Sequence, residues 1–364
     1  MPTPTIAFLT YDWSFGIKPL QPNGCGWYRA YLPMKQLKEH GWESGIGLPG
    51  FSEEHAFGIL IPDERAIHGW DIIVLKLVML KRFVDHVTKA RELGQKIVVD
   101  IDDHMEGLEE TNLAYKTTHP DSNPDNNRDH YVAIIEQADA LITSTPFLKD
   151  YYQKKYPDKP IFIVRNGIDI DRWGIKRKDH AGRLPTFGWV GATPWRSGDL
   201  ETLKPFFGEF LKKKHLKFHH AGNVINAPSA SSQIGIDKKI CTFEPMKTMI
   251  NVPELYRKMD VGIVPLRNVE FNHAKSYLKG LENAAAGIPF IASGGLPEYQ
   301  LFADAGVGRI ANTPDEWIGH MEELLDPKVR LEERTKNFEI ISEQFSMKQR
   351  GLDWDEVCKK ILTL

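Results

Sequence analysis

The sequence predicts an α/β protein built from two doubly wound parallel sheets. Short apolar runs alternate with longer helical patterns along nearly the whole chain. That rhythm pauses at 174–185, a polar and basic stretch, and then restarts. At 364 residues the chain also exceeds what one ordinary core organises. A βαβ rhythm implies parallel strands covered on both faces.

The first series has strand patterns at 5–10, 72–77, 96–100, 140–143 and 160–164, with helix patterns at 28–40, 81–93, 130–138 and 146–155. The second has strand patterns at 187–190, 216–221, 239–243, 260–264 and 288–292, with helices at 199–213, 253–258, 273–286 and 314–326. Residues 328–364 read as two further helices. The domains are expected over 1–175 and 183–345, with 174–185 as linker. Such a pair places a ligand cleft at the carboxyl ends of both sheets. Residues 105–129, rich in Asn, Asp and Pro, read as a long loop facing it.

Composition narrows the function. A hydrophobic fraction of 41% and a charged fraction of 26% are ordinary for a globular protein. The net charge of −3 leaves no nucleic-acid footprint, and no nucleic-acid partner is expected. Cys25, Cys241 and Cys358 show neither metal nor disulfide spacing, which points to a reducing compartment. MPTPTIAFLT does not read as a signal peptide, and no run of eighteen apolar residues occurs. A cytoplasmic location is expected.

The most informative stretch is 271–282, FNHAKSYLKGLE. As one helix, 272–286, it puts Lys275, Lys279 and Glu282 on one face and Ala274, Leu278, Leu281 and Ala285 on another. Asn272 reads as its N-cap, and Gly287 with Pro289 as its stop. Lysines in the first turns suit a phosphate, and a carboxylate further in suits ribose hydroxyls. Gly24-Cys25-Gly26-Trp27-Tyr28-Arg29 follows the first strand; its glycines let backbone N–H groups approach an anion, and Arg29 adds charge. The alternative there is a tight turn with a surface Arg. Cys25 reads as a small buried residue rather than a nucleophile.

Asp100-Ile101-Asp102-Asp103-His104 ends the apolar strand KIVVD, where α/β enzymes keep their sites. A divalent-metal site, substrate hydroxyl binding and a general base are its functional readings; an N-cap in a solvated turn is the structural one. Gly191 and Gly198 bracket a loop that can lie against a diphosphate, with Arg196 neutralising it. Asn166-Gly167 is a turn with only a structural reading. Gly45-Ile46-Gly47-Leu48-Pro49-Gly50 matches a dinucleotide fingerprint but follows a helix, and it reads as loop.

Taken together and in order, these segments resemble GT-B glycosyltransferases of the retaining, nucleotide-sugar-dependent family 4. The matching stretches are the Gly-rich start of the first helix, IVRNGID, WVGATPW, His220-Ala221-Gly222, DVGIVPL, and AKSYLKGLE followed by AAAGIPFIAS. VVDIDDH and the NRDHY of 127–131 resemble a bacteriophage-encoded subgroup, which would make the setting a host cytoplasm.

The resemblance implies two Rossmann-like domains facing a central cleft, with the last helix, 346–364, crossing back to the first. It implies a nucleoside-diphosphate sugar as donor, UDP or GDP being the expected carrier, with no cofactor and no metal required. Glu282 matches the second glutamate of the family's E-x7-E motif, which holds the ribose; the first falls at Ala274 and is missing. Lys275 and Ser276 then take over part of that space. Gly24, Gly26, Gly191, Arg196, Lys275, Ser276, Lys279 and Glu282 become the donor-binding set. His104, Arg196, Lys275 and Asp103 become the catalytic set, and Arg29, Asp102 and His104 the sugar and acceptor side. The acceptor, whether protein, glycan or small molecule, stays open. So do three rivals: an epimerase or phosphorylase on the same fold, a non-catalytic nucleotide- or glycan-binding protein, and a metal-dependent transferase using Asp102 and Asp103.

Overall fold

The computed structural model describes residues 3–14, 20–54, 56–60, 69–173, 183–196, 198–224 and 226–364. Most of the expected linker, 174–182, lies outside the described residues. The first half supplies β1 (Thr5–Thr10), β2 (Glu43–Gly47), β3 (Pro49–Ser52), β4 (Ala56–Ile59), β5 (Ile72–Lys76), β6 (Lys96–Ile101), β7 (Ala140–Thr143) and β8 (Ile161–Ile163). Six of them form a parallel sheet in the order β2-β1-β5-β6-β7-β8, while β3 and β4 make an antiparallel pair. The second half supplies β9 (Thr186–Val190), β10 (Lys217–Asn223), β11 (Cys241–Pro245), β12 (Val261–Val264), β13 (Phe290–Ser293) and β14 (Arg309–Ala311). They form a second parallel sheet in the order β11-β10-β9-β12-β13-β14. Every residue of β5, β7 and β9 is buried, as strands covered on both faces must be.

Six helices position the site. They are α1 (Gly24–Gly26, Trp27–Tyr31 and Leu32–Glu39, the middle segment a π turn), α2 (Ile170–Trp173), α3 (Glu270–His273), α4 (Leu278–Ala285), α5 (Pro327–Gln344) and α6 (Met347–Leu362). The chain returns to the first sheet through α6. There Trp354 meets Phe8 edge-on at 5.5 Å, and Trp42 Nε1 donates to Asp355 at 2.8 Å. Among the described residues no helix is long and apolar enough to cross a membrane.

Three local expectations are corrected. The segment 45–50 is not a loop, because Gly45 and Gly47 pair with Ala7 and Leu9 in β2. A Cβ on Gly45 would lie 2.5 Å from Ile59, so the glycine serves close packing. The helix expected at 199–213 splits into a 3-10 turn, Leu200–Leu203, and a helix, Phe207–Lys213, around Pro205, which lacks a backbone donor. The helix expected at 272–286 breaks into α3 and α4, with 274–277 non-helical between them.

One buried titratable group ties this fold to pH. His219, on β10, is fully buried; its Nδ1 meets Thr242 Oγ1 at 2.8 Å, and its Nε2 has no hydrogen-bond partner. Burial pushes its pKa from 6.5 down to about 4, although Glu244 opposes the shift. Between those values the unfolded chain binds a proton that the fold refuses, so stability falls as pH drops through the window. His219→Gln should remove about 2 kcal/mol of the stability lost between pH 7 and 4.5, read by urea unfolding. An unchanged pH slope would show that other groups carry the acid sensitivity.

Candidate functional site

The break between α3 and α4 faces the carboxyl ends of β6 and β7. Ala274, Lys275, Ser276 and Tyr277 each bond to the first half of the chain. Thr145 Oγ1 donates to the Ala274 carbonyl at 3.1 Å, and Lys275 Nζ reaches Asp103 Oδ1 at 3.2 Å. Asn166 Nδ2 donates to Ser276 Oγ at 2.7 Å, and Tyr277 Oη donates to the Asn166 carbonyl at 3.0 Å. Lys275 therefore leaves the face it was expected to share with Lys279. Nor is Asn272 an N-cap: it lies buried within α3, and its Nδ2 donates to Asp199 Oδ1 at 2.7 Å.

Glu282, one turn into α4, is almost fully buried and saturated with donors. Tyr28 Oη donates to Oε1 at 2.9 Å; Tyr256 Oη and Lys279 Nζ donate to Oε2, both at 2.7 Å. Tyr28 comes from α1 of the first sheet, so one carboxylate is held from both halves. Burial and the neighbouring Glu282 charge push both tyrosine hydroxyls well above their ordinary range, keeping them neutral donors. The amino end of α4 is covered as well: the Tyr299 hydroxyl lies against the backbone N–H groups of Lys279 and Gly280 and senses the Arg196 charge.

The expected glycine amides are taken internally. Gly26 N–H donates to Asp12 Oδ2 at 2.7 Å, and a Cβ on Gly26 would approach the Asp12 carbonyl to 2.9 Å. Gly191 N–H donates to the Ala221 carbonyl at 2.9 Å. Gly24 meets nothing within 4 Å and is free for close approach. Arg196 is half-buried; its N–H donates to the Thr193 carbonyl at 3.0 Å, and its guanidinium has no hydrogen-bond or ion-pair partner among the described residues. It lines a cleft of about 740 Å³ with Thr193, Gln233 and Arg267 from the second half and Thr111 and Leu113 from the first. That cleft lies beside the Glu282 cluster and does not contain it.

The DIDDH segment divides its labour. Arg29 is buried, not a surface group. Its Nη2 lies 2.6 Å from Asp100 Oδ2, and its Nη1 donates to the Val164 carbonyl at 2.6 Å. Its donors go to Asp100, Val164 and Asn166, so the expected contact with sugar or acceptor would require that cluster to open. Lys76, fully buried at the end of β5, pairs with Asp102 and lies 3.5 Å from Asp100. The two carboxylates raise the lysine pKa against burial, and the lysine lowers that of Asp102.

Asp103 stays partly exposed beneath Lys275. His104 is buried, its Nε2 3.5 Å from Glu270 and its ring edge-on to Tyr151 at 4.3 Å. Desolvation lowers its pKa, leaving a neutral imidazole at pH 7 whose buried Nδ1 has no partner. Ligand atoms of Cys25, Asp102 and Asp103 lie within 4.8 Å of one another. With Lys76 already bound to Asp102, that trio fits a divalent cation poorly. Burial and the nearby Asp102 and Asp12 hold the Cys25 thiol neutral.

The solved structure of sucrose-phosphate synthase from Thermosynechococcus elongatus matches with a TM-score of 0.68 at 13% identity, over 100% of both chains. A glycosyltransferase from Rickettsia africae matches with 0.64 at 13%, over 100% of this chain and 99% of that one. HepE from Anabaena, in complex with UDP-glucose, matches with 0.63 at 12%, over 98% and 99%. The fold is GT-B. At such identities the likeness establishes the GT-B architecture and leaves the chemistry to the residues. No protein-family model matches the sequence, and no curated protein does.

Tyr28, Tyr256 and Asn166 were not among the expected site residues. Tyr28 lies inside the Gly-rich segment, but an aromatic there reads as core until Glu282 is seen beside it. The buried ion cluster yields a direct test. Lys76→Met leaves Asp100 and Asp102 with Arg29 alone and should cost about 3–5 kcal/mol in urea unfolding. A loss below 1 kcal/mol would show that the cluster contributes no net stability.

Proposed function

We propose that this protein is a retaining glycosyltransferase of the family-4 type. It would transfer a sugar from a UDP or GDP carrier to a hydroxyl of a protein, glycan or small-molecule acceptor. The observation that supports this most is Glu282, a buried carboxylate at the domain seam whose donors come from both halves. A ribose diol offers the same two donors as Tyr28 and Tyr256, so it replaces them without leaving the carboxylate unpaired.

Cleavage of the sugar–phosphate bond builds charge on the departing diphosphate. Arg196, Lys275 and Lys279 are the cations placed to receive it, with Gly24 allowing close backbone approach. Lys275 exchanges Asp103 for the diphosphate, which frees Asp103 to face the sugar. Ser276 exchanges Asn166 in the same step. Neutral His104 offers a hydrogen bond to a sugar hydroxyl once Glu270 moves aside. The neutral Cys25 thiol is no nucleophile, so the acceptor hydroxyl attacks on the face from which the phosphate departs. Charge stabilisation by side chains removes the need for a metal. The free cysteines support a reducing, cytoplasmic setting; the phage-like subgroup rests on sequence resemblance alone.

The reading is tested by screening UDP-, GDP-, ADP- and dTDP-sugars for thermal shift and donor hydrolysis with excess chelator present. Product anomeric configuration is then read by NMR. Binding without turnover, chelator-sensitive turnover or an inverted product would each overturn the corresponding part. Glu282→Gln should weaken donor binding about 10- to 100-fold; unchanged affinity would remove it from the ribose site. Arg196→Ala should lower turnover about a hundredfold at constant melting temperature. A fall in melting temperature with turnover per folded molecule intact would make Arg196 structural.

A further inference from the structure

Among the described residues, a second group of buried donors near Glu282 has no hydrogen-bond partner. Arg172, on α2, has Nε, Nη1 and Nη2 all buried without a hydrogen-bond partner. Its guanidinium lies over the Trp27 ring, 4.5 Å from the centroid. Trp27 is 5% exposed, and its Nε1 is likewise buried without a partner. Two neighbouring side chains from different elements thus bring only donors together. The two indole rings, Trp27 and Trp173 at 5.8 Å, meet the charge but accept none of its N–H groups, and native interiors normally satisfy such donors. The arrangement is complete only when something rich in acceptors enters.

Position indicates what enters. Trp173, the next residue, packs edge-on against Tyr256 at 5.3 Å, and Tyr256 holds one oxygen of Glu282. Tyr28, the residue after Trp27, holds the other oxygen, and the Arg172 charge is felt at its hydroxyl. Lys275 lies before the amino end of α4, and Arg196 acts on the Tyr299 hydroxyl at that end. Arg172 is instead anchored around Glu282, one turn further on. In a nucleotide the ribose has phosphate on one side and the base on the other.

We propose that Arg172 and Trp27 form the nucleobase end of the donor site, donating to an acceptor-only edge of the base. The inference rests on Glu282 as the ribose carboxylate. Among the bases of the four carriers, UDP, GDP, ADP and dTDP, guanine alone presents two adjacent acceptors, O6 and N7, which match a guanidinium fork. Adenine sets a donor beside its N7, and uracil and thymine offer O4 alone on that edge. The pair therefore selects guanine. Domain opening admits the base, since both donor groups are shut in when Tyr28 sits on Glu282.

The test is calorimetric binding of GDP, UDP, ADP, dTDP and ribose 5-phosphate to the full chain and to Arg172→Ala, Arg172→Lys, Trp27→Phe and Glu282→Gln. GDP should bind tightest. Arg172→Ala should weaken GDP about tenfold or more and leave ribose 5-phosphate unchanged. Arg172→Lys keeps the charge but not the fork and should lose most of the preference for GDP. Trp27→Phe keeps the ring and should lose part of it. Melting temperature should change little in Arg172→Ala, because buried unsatisfied donors go together with the stacking on Trp27 and Trp173; if that variant does not fold, the Lys and Phe variants carry the test. Equal weakening of ribose 5-phosphate, a preference for another nucleotide, or GDP affinity indifferent to all three changes would overturn the proposal. Glu282→Gln separates the two readings. If it spares every ligand, the ribose assignment fails; if it weakens them all while the Arg172 and Trp27 variants do not, only the base assignment fails.

Discussion

The seam between the two sheets depends on the break at 274–276, where the chain abandons helical hydrogen bonding to bond with the other half. A continuous helix would satisfy its own carbonyls and leave Thr145, Asn166 and Asp103 without partners across the seam. The break instead turns the Ala274 carbonyl, the Lys275 ammonium and the Ser276 hydroxyl outward together. Tyr277 then buries its ring against Phe302 and Phe345 and starts α4 at a fixed angle. Lys279 and Glu282 inherit their positions from that start. Contacts that close the cleft and groups that would bind a donor diphosphate are therefore the same atoms, so closing and binding exchange partners rather than add them.

The electrostatics separate into a fixed part and an exchangeable part. Arg29, Lys76 and Asp100 are fully buried, Asp102 is 12% exposed, and the four are paired with one another. Removing any one leaves an uncompensated charge, which is how such clusters hold a strand end rigid. Lys275, Asp103 and Glu270 are partly or largely exposed, and the Lys275–Asp103 and His104–Glu270 pairs are worth little in water, while Arg196 has no pair to displace. Weak pairs are the ones a charged ligand can displace. The division falls within five residues of one strand end: Asp100 and Asp102 belong to the scaffold, Asp103 and His104 to the cleft.

Much of the fold was legible because strand and helix periodicities are local. The runs at 5–10 and 140–143 are strands with those bounds, since each has a continuous apolar stretch, IAFL and ALI, that ends at a threonine. The break in 272–286 was not legible: AKSY contains no glycine or proline, and the force that unwinds it comes from residues more than a hundred positions away. The glycines misled for a related reason. Gly26 and Gly191 do permit close backbone approach, but the approaching atoms are Asp12 and Ala221 rather than a ligand. Glu282 stood out in the sequence because it shares a helix face with Lys279, while its burial between two tyrosines did not. Tyr28 and Arg172 did not, because an aromatic or an arginine at a helix end shows nothing of what it will face.

The missing carboxylate at position 274 now has a physical account. Ala274 is fully buried and packs with Phe271 among residues of the first domain's core, and its carbonyl is held by Thr145. A glutamate side chain there would enter an apolar layer with no donor placed to receive it, and burying that charge would cost several kcal/mol. The position that the resemblance assigns to donor-sugar or phosphate contact has become a docking position between the halves. Under the proposed function, contacts to the sugar would fall to polar groups that remain near the cleft, Asp103 and His104 on one side and Ser276 on the other. Those residues lie on opposite faces of the seam, so they form one surface only when the halves are together. Under that function, recognition of the sugar and closure of the cleft would for that reason be a single event.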